Sequence, residues 1–279
     1  MSLAARIERA EADTAAAFGR AASRPGKDVL VSPVAGGTAV YGTPGDPFNK
    51  IAGLGFAPLD EASLASLEHV YDSRAGEMRV ELSSLAGHGV AATLTSRGFV
   101  LIGYENVLAL ALTPDRVDAT ARMRDEATAR GIAVSPAADA RSWIRTVSEG
   151  FATPDTFDGP PPRESFARES LERVFADFSA APGCALYLAR RDGLVAGGGA
   201  LRIVDGVAQL AGAATLPSQR RRGVQTALLH ARLVAAAEGG CDLAVVTTEP
   251  GSKSQENVQR AGFELLYVRA ILVRAASAV

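Results

Sequence analysis

The chain has 279 residues, 47 % of them hydrophobic, with 29 basic and 31 acidic side chains and a formal net charge of −2. That balance excludes the large basic excess typical of nucleic-acid binding, and no apolar run reaches the roughly 18 residues that a membrane span needs. Two cysteines and three scattered histidines exclude a disulfide framework and a histidine–cysteine metal motif, so no metal is expected.

Met1 to Arg20 alternates charges with alanines, which is not a leader pattern, and a cytoplasmic protein is expected. Residues 3–23 read as a helix. Strand-like runs follow at Asp28–Ser32, Thr38–Tyr41 and Asn49–Phe56, with turns at Gly36-Gly37 and between Gly42 and Pro47. Asp60 is placed to cap a helix that runs to about Arg74. Met78–Leu82 alternates as a strand, Gly87–Ser96 reads as a short helix, Phe99–Leu112 supplies one or two strands, and Pro114–Arg130 is helical.

A second block opens near Gly131, with a strand at Ile132–Ala137 and a helix capped by Asp139 that carries Trp143. Pro154–Pro162 reads as a loop. Arg163–Phe178 is amphipathic, with Phe166, Leu171, Val174, Phe175 and Phe178 at helical spacing. Three strands, Cys184–Arg190, Val195–Val204 and Val207–Leu216, are joined by Asp192-Gly193 and Asp205-Gly206. Such pairs tolerate positive φ, so the three strands form an antiparallel meander. Gly197-Gly198-Gly199 marks a bulge or a close backbone approach. A helix follows over Val224–Glu238, then a fully apolar strand at Asp242–Thr248, a short helix at Gly251–Ala261, and final strand structure from Gly262-Phe263 to Val273.

Chemistry concentrates in the strand–loop–helix unit from Val207 to Glu238. The loop Pro217-Ser218-Gln219-Arg220-Arg221-Arg222-Gly223 delivers a glycine where a helix begins. Helix N-termini leave unpaired amides and carry positive dipole character, and a glycine there admits an anion close to the backbone. The residues support a pyrophosphate seat of main-chain amides assisted by Arg220, Arg221 or Arg222. On their own, the three arginines read equally as a solvated turn.

Arg220-x-x-Gly223-x-Gln225 resembles the Gln/Arg-x-x-Gly-x-Gly/Ala loop of the GNAT-type N-acetyltransferase superfamily, with Gln225 replacing the usual small residue. Gly251-Ser252-Lys253-Ser254-Gln255-Glu256-Asn257, ending in Arg260-Ala261-Gly262-Phe263, resembles the following helix of that family and the Gly-Phe that closes it. The resemblance covers roughly residues 131–274. It implies acetyl-CoA as co-substrate, with Ala214, Thr215 and Leu216 pairing with the pantetheine arm. It also implies that amides from Arg221 through Arg222, Gly223, Val224 and Gln225 to Thr226 hold the pyrophosphate, and that Ser254 and Asn257 face the cofactor. The strand Leu243–Thr248 should splay from Val207–Leu216 and open a slot. A main-chain N–H near Thr215 or Leu216 should polarise the thioester carbonyl. Many relatives place a tyrosine acid where this chain has Val258, so Tyr267 is its substitute, and Glu249 is the first choice of base.

The N-terminal half echoes this plan. Pro58 to Gly98 spans 40 residues and Pro217 to Gly262 spans 45, each ending in Gly-Phe with a tyrosine beyond, Tyr104 and Tyr267. Leu59-Asp60-Glu61 replaces the arginine loop, and two carboxylates repel a pyrophosphate. The expected fold class is therefore α/β (α+β), with mixed, mostly antiparallel twisted sheets flanked by helices, as two GNAT-like domains in tandem. Residues 1–130 form a degenerate GNAT-like domain without a CoA site, and 131–279 the acetyltransferase domain. Gly45–Asn49 is a pocket loop or an ordinary turn. The expected activity is acetyl transfer to an amine of a small molecule, amino acid or peptide, by a monomer or homodimer. Nucleic acid and membrane are not expected partners. The alternative is a non-catalytic acyl-CoA-binding or sensing protein.

Overall fold

The computed structural model describes residues 1–276 except 25, 28, 44, 45, 47 and 154–167. The elements in chain order are α1 (Leu3–Ala22), β1 (Leu30–Val34), β2 (Gly37–Tyr41), β3 (Lys50–Ala52), α2 (Glu61–Ser73), β4 (Met78–Ser83), α3 (Val90–Ser96), β5 (Val100–Ala111), α4 (Pro114–Ala129) and β6 (Ile132–Pro136). They continue with α5 (Ala140–Ala152), α6 (Arg168–Ser179), β7 (Cys184–Arg191), β8 (Leu194–Val204), β9 (Val207–Thr215), α7 (Val224–Glu238), β10 (Leu243–Thr248), α8 (Lys253–Arg260) and β11 (Glu264–Arg274). The loop read at 154–162, the start of the helix read from Arg163, and Gly45 and Pro47 of the pocket loop lie outside the described residues. By compactness the chain forms two units, residues 1–107 with 265–279, and residues 108–264. The fold is mixed α/β, with mostly antiparallel strand pairs and flanking helices.

The first unit pairs its strands in the order β1-β2-β3-β4-β11, all antiparallel except the parallel pair β3–β4. Its core gathers Tyr41, Ile51, Leu64, Tyr71, Met78 and Leu94. The third strand is shorter than the sequence suggests because Gly53 turns to φ +71° directly after Ala52. Asp60 caps α2 as expected, its carboxylate accepting from the amides of Ala62 and Ser63 and from the Ser63 hydroxyl. A buried ionic network also lies in this unit. Arg269 meets Glu8 at 2.8 Å and Glu105 at 3.1 Å, and Lys50 meets Glu81 at 2.9 Å and Glu11 at 3.1 Å.

The second unit pairs β6-β7-β8-β9 antiparallel, and β10 joins β9 in parallel. The far end of β5 lies beside β10, where the Leu112 N–H donates to the Asp242 carbonyl at 2.9 Å. Both meander turns have positive φ at both residues, Asp192 and Gly193, Asp205 and Gly206, as the Asp-Gly pairs require. On one face of the meander, Trp143 of α5 is fully buried, stacks on Phe178 at 5.7 Å and donates its indole N–H to the Gly199 carbonyl at 3.1 Å. The glycine run is thus a close approach, since a Cβ on Gly198 would sit 3.2 Å from the Trp143 ring. The aromatics of α6 are core, with Phe175 and Phe178 packed around Trp143.

The duplicated plan is visible in the helix ends. After α3, Gly98 adopts φ +85° and the Phe99 N–H returns to the Leu94 carbonyl. After α8, Gly262 adopts φ +89° and the Phe263 N–H returns to the Val258 carbonyl. Both are the left-handed glycine stop with a buried aromatic beyond it.

Candidate active site

The site begins where two strands part. β9 and β10 pair in parallel at only three positions, Leu243↔Val207, Ala244↔Ala208 and Val245↔Gln209, although β9 continues to Thr215 and β10 to Thr248. The cause lies in β9. Against β8 the register steps from Ala200↔Ala211 to Gly198↔Ala214, so β9 carries one extra residue, and Gly212 stands at φ +56°. A bulge of this kind bends its strand and ends regular pairing.

A cavity of about 760 Å³ opens in the second unit between these strands and the helices beside them. Its floor is Leu210 to Ala213 with Val246 and Thr247, and its walls come from α7, α8 and α4. Gln225, Thr226, Ser254 and Asn257, all expected to face a cofactor, line it. Ala214 and Thr215 continue β9 past the cavity wall and Leu216 follows its end, with Ala214 buried and the other two half-buried.

At one end of the cavity stands the N-terminus of α7. Gly223 precedes the helix at φ +82° and Arg221 at φ +59°, both left-handed. Ala227, donating to Gly223 at 3.0 Å, is the first helical N–H paired with a carbonyl, so the amides of Gln225 and Thr226 precede the ladder. Val224 is buried and anchors the turn beside Ala189, Ala196 and Leu228. Arg221 and Arg222 are exposed. Arg220 is not turned to the same task, because its Nη2 donates to the carbonyls of Gly150, at 3.1 Å, and Thr153, clasping the end of α5.

Two expectations about chemistry change. The Leu216 N–H is spent on the Ala196 carbonyl at 2.9 Å, so it is not available to a thioester. Amides alternate along a strand, which turns the Thr215 N–H away from β8, toward the widening gap. Tyr267 belongs to the first compact unit and is buried, and its hydroxyl donates to Glu8 at 2.6 Å. Burial foremost, then the negative charge of Glu8, pushes its pKa far above the ordinary phenol value. That hydroxyl is a structural donor and not a proton source for the cavity. Val258, at the position of the missing tyrosine, is a cavity wall. Glu249 follows β10, half-buried and outside the cavity lining.

Sequence reasoning missed two α7 side chains in the cavity wall, His230 and Arg232. Burial lowers the pKa of His230, which keeps the imidazole neutral near pH 7. Arg232 is 2 % exposed, and burial pushes its pKa down to about 10, so it remains a cation. A signal for it existed, because Arg232 falls one turn after Leu228 on the apolar stripe of α7. Among the described residues no group of three His, Cys, Asp or Glu side chains could hold a metal ion, and no helix is long and apolar enough to cross a membrane.

Residues 153–263 match the model of the acetyltransferase (GNAT) family. Those residues are a GNAT acetyltransferase domain. Three solved structures are similar in fold over 90 % or more of this chain. A GCN5-related N-acetyltransferase from Kribbella flavida is 20 % identical, with a TM-score of 0.63 over 100 % of this chain and 97 % of that one. A tandem GNAT protein from the clavulanic acid biosynthesis pathway is 14 % identical, with a TM-score of 0.60 over 92 % of this chain and 86 % of that one. A GCN5-related N-acetyltransferase from Sphaerobacter thermophilus is 15 % identical, with a TM-score of 0.53 over 90 % and 76 %. No curated protein matches the chain. The GNAT match covers the strand–loop–helix unit, the cavity floor and the Gly-Phe stop, and begins after α5.

Proposed function

We propose that the chain is an acetyl-CoA-dependent N-acetyltransferase acting on an amine of a small molecule, amino acid or peptide. The observation that carries this is the parting of β9 from β10 after Val245↔Gln209, with a cavity in the gap and the unladdered amides of α7 at its end. The diphosphate fits the main-chain donors from Arg221 to Thr226, the pantetheine arm fits along Ala213 to Leu216, and Ser254 and Asn257 face it from α8. Acetyl-CoA supplies an activated thioester. The acceptor amine attacks the thioester carbonyl, a C–N bond forms, and the C–S bond breaks with its electron pair leaving on sulfur. The Thr215 N–H is the donor best aimed at the carbonyl oxygen. The amine proton passes to Glu249 through water or directly to solvent, and the departing thiolate takes its proton from solvent.

In our reading the compact unit of residues 108–264, which includes the α4 wall, carries this chemistry rather than all of 131–279, and the degenerate copy that binds no CoA lies within residues 1–107 rather than 1–130. The support for degeneracy is Asp60, whose carboxylate already occupies the N-terminal amides of α2. A second reading, an acyl-CoA sensor without turnover, is favoured by one observation, the absence of a tyrosine at Val258. Both are tested by titrating CoA while following thermal stability, then offering acetyl-CoA and a panel of amines while reading free thiol. A ligand at 100 times its dissociation constant adds roughly 2.7 kcal/mol to stability. Stabilisation with thiol release supports the transferase, stabilisation without release of thiol by any amine supports the sensor, and no stabilisation removes both.

A further inference from the structure

Arg232 is a buried cation with no carboxylate counter-ion among the described residues. Its Nε donates to the Leu228 carbonyl at 3.0 Å, and its Nη1 to the carbonyls of Ala200 at 3.0 Å and Ala211 at 3.4 Å. Among the described residues no carboxylate pairs with it, the ionisable group that acts on its charge is the Tyr187 phenol, and its hydrogen bonds leave Nη2 unused. Room has been made for it, since a Cβ on Gly199 would lie 2.9 Å from the guanidinium carbon. Removing an ion from water without a partner costs several kcal/mol. Holding three carbonyls explains Nε and Nη1, but a neutral donor would do that without the desolvation. The charge itself and the idle Nη2 remain to be explained.

The residue lines the cavity, among Leu210, Leu229, Leu233 and Val246. Apolar walls strengthen any charge pair formed there. The partner is not the diphosphate seated at the helix N-terminus, because Arg232 follows Val224 by eight residues, about 12 Å along the axis at ~1.5 Å per residue. It lies instead at the bulge, bonded to the carbonyl just before Gly212.

We propose that Arg232 recognises a carboxylate brought into the cavity by one of the two reactants, either the far end of the acyl group on the thioester or a substituent of the acceptor amine. This rests on the CoA-dependent reading above and narrows its substrate class. Nη2 donates to the carboxylate, and the pair forms only when the ligand is seated. A charge-assisted hydrogen bond of this kind corresponds to a preference of about 10- to 100-fold.

The test compares matched ligands on the full chain by calorimetry, with CoA itself titrated first. In one arm succinyl-CoA is set against butyryl-CoA. In the other, amino acids are set against their amides with CoA present. A carboxylate preference of about 10-fold or more in the first arm assigns the donor, and in the second arm the acceptor. Arg232→Gln should abolish the preference, Arg232→Lys should restore part of it, and CoA affinity should change by less than about 3-fold in both. Should Arg232→Gln fail to fold, the wild-type comparison and the lysine variant decide alone. Carboxylate and neutral ligands binding within about 3-fold in both arms overturn the proposal while the CoA reading stands. Failure of CoA to bind overturns both.

Discussion

Replacing Gly223 by aspartate tests the diphosphate assignment, provided that alanine is made beside it. Gly223 precedes α7 at φ +82°, where an L side chain costs roughly 1–2 kcal/mol. Its environment adds little to that, because a Cβ there meets only Ile132 Cδ1 at 3.4 Å. Alanine therefore loses about 1–2 kcal/mol of stability, and aspartate less, because its carboxylate can cap the amides of the first turn as Asp60 does in α2. They part company in binding. Alanine leaves the amides of Gln225 and Thr226 open, so CoA affinity should fall by less than about 5-fold. Aspartate places a carboxylate beside those amides. Like charges about 4 Å apart in a medium of effective dielectric ~20 repel by roughly 4 kcal/mol. Gly223 is exposed, so water and salt reduce this, and a loss of about 100-fold in CoA affinity is expected. Calorimetric titration at low and high salt reads it, and the gap between the variants should narrow as salt rises. Equal CoA affinities for the alanine and aspartate variants would refute the placement of an anion at this helix end.

Two further perturbations follow from the structure. Trp143→Phe keeps the ring among Phe175 and Phe178 but removes the N–H bonded to the Gly199 carbonyl, and should cost about 1–3 kcal/mol in urea unfolding; an unchanged midpoint would show that the carbonyl finds another donor. Glu105 has its pKa raised from 4.5 to about 7, by burial foremost and then by Glu81, so the unfolded chain loses this proton first and stability falls as pH rises from about 4.5 through 7. At ~1.4 kcal/mol per pH unit the ceiling is roughly 3 kcal/mol. The side chain keeps 26 % of its surface exposed, and roughly 1–2 kcal/mol is the expected loss. Glu105→Gln should remove that slope, and a difference from wild type that is constant between pH 5 and 8 would refute the assignment.

What the sequence revealed, and what it hid, divides by the range of the interaction. The Asp-Gly turns, the Asp60 and Asp139 caps, and the extent of α7 follow from residues within a few positions of one another, where φ preference and capping act. The Gly-Phe stops were legible for the same reason. Hidden features depend on remote partners. The Tyr267 hydroxyl is held by Glu8, which no local rule could anticipate. Arg220 turned to Gly150 and Thr153 because α5 ends beside its loop. The strand β5 serves the first compact unit up to Val107 and the second from Leu108, while β11 pairs with β4 rather than closing the unit that precedes it in sequence. Local pattern reads both as strands and is silent on which neighbour each takes.

The two halves make one physical point when their corresponding helices are compared. Each has a parallel strand pair, a helix between the paired strands, and a later helix stopped by Gly-Phe. They differ at the N-terminus of the first helix. In α2 the four unpaired amides of a helix start meet Asp60, whose carboxylate takes those of Ala62 and Ser63. That carboxylate is held below its ordinary pKa by the Ser63 hydroxyl and those same amides, so it stays charged and keeps its place. In α7 the corresponding position is Gly223, without a side chain, and the loop before it carries three arginines. A helix start satisfied internally has no further use for an anion, whereas one left open recruits it from outside. The same backbone device is thus a structural cap in one half and, in our proposal, a ligand seat in the other, with Asp60 against Gly223 as the first difference between them.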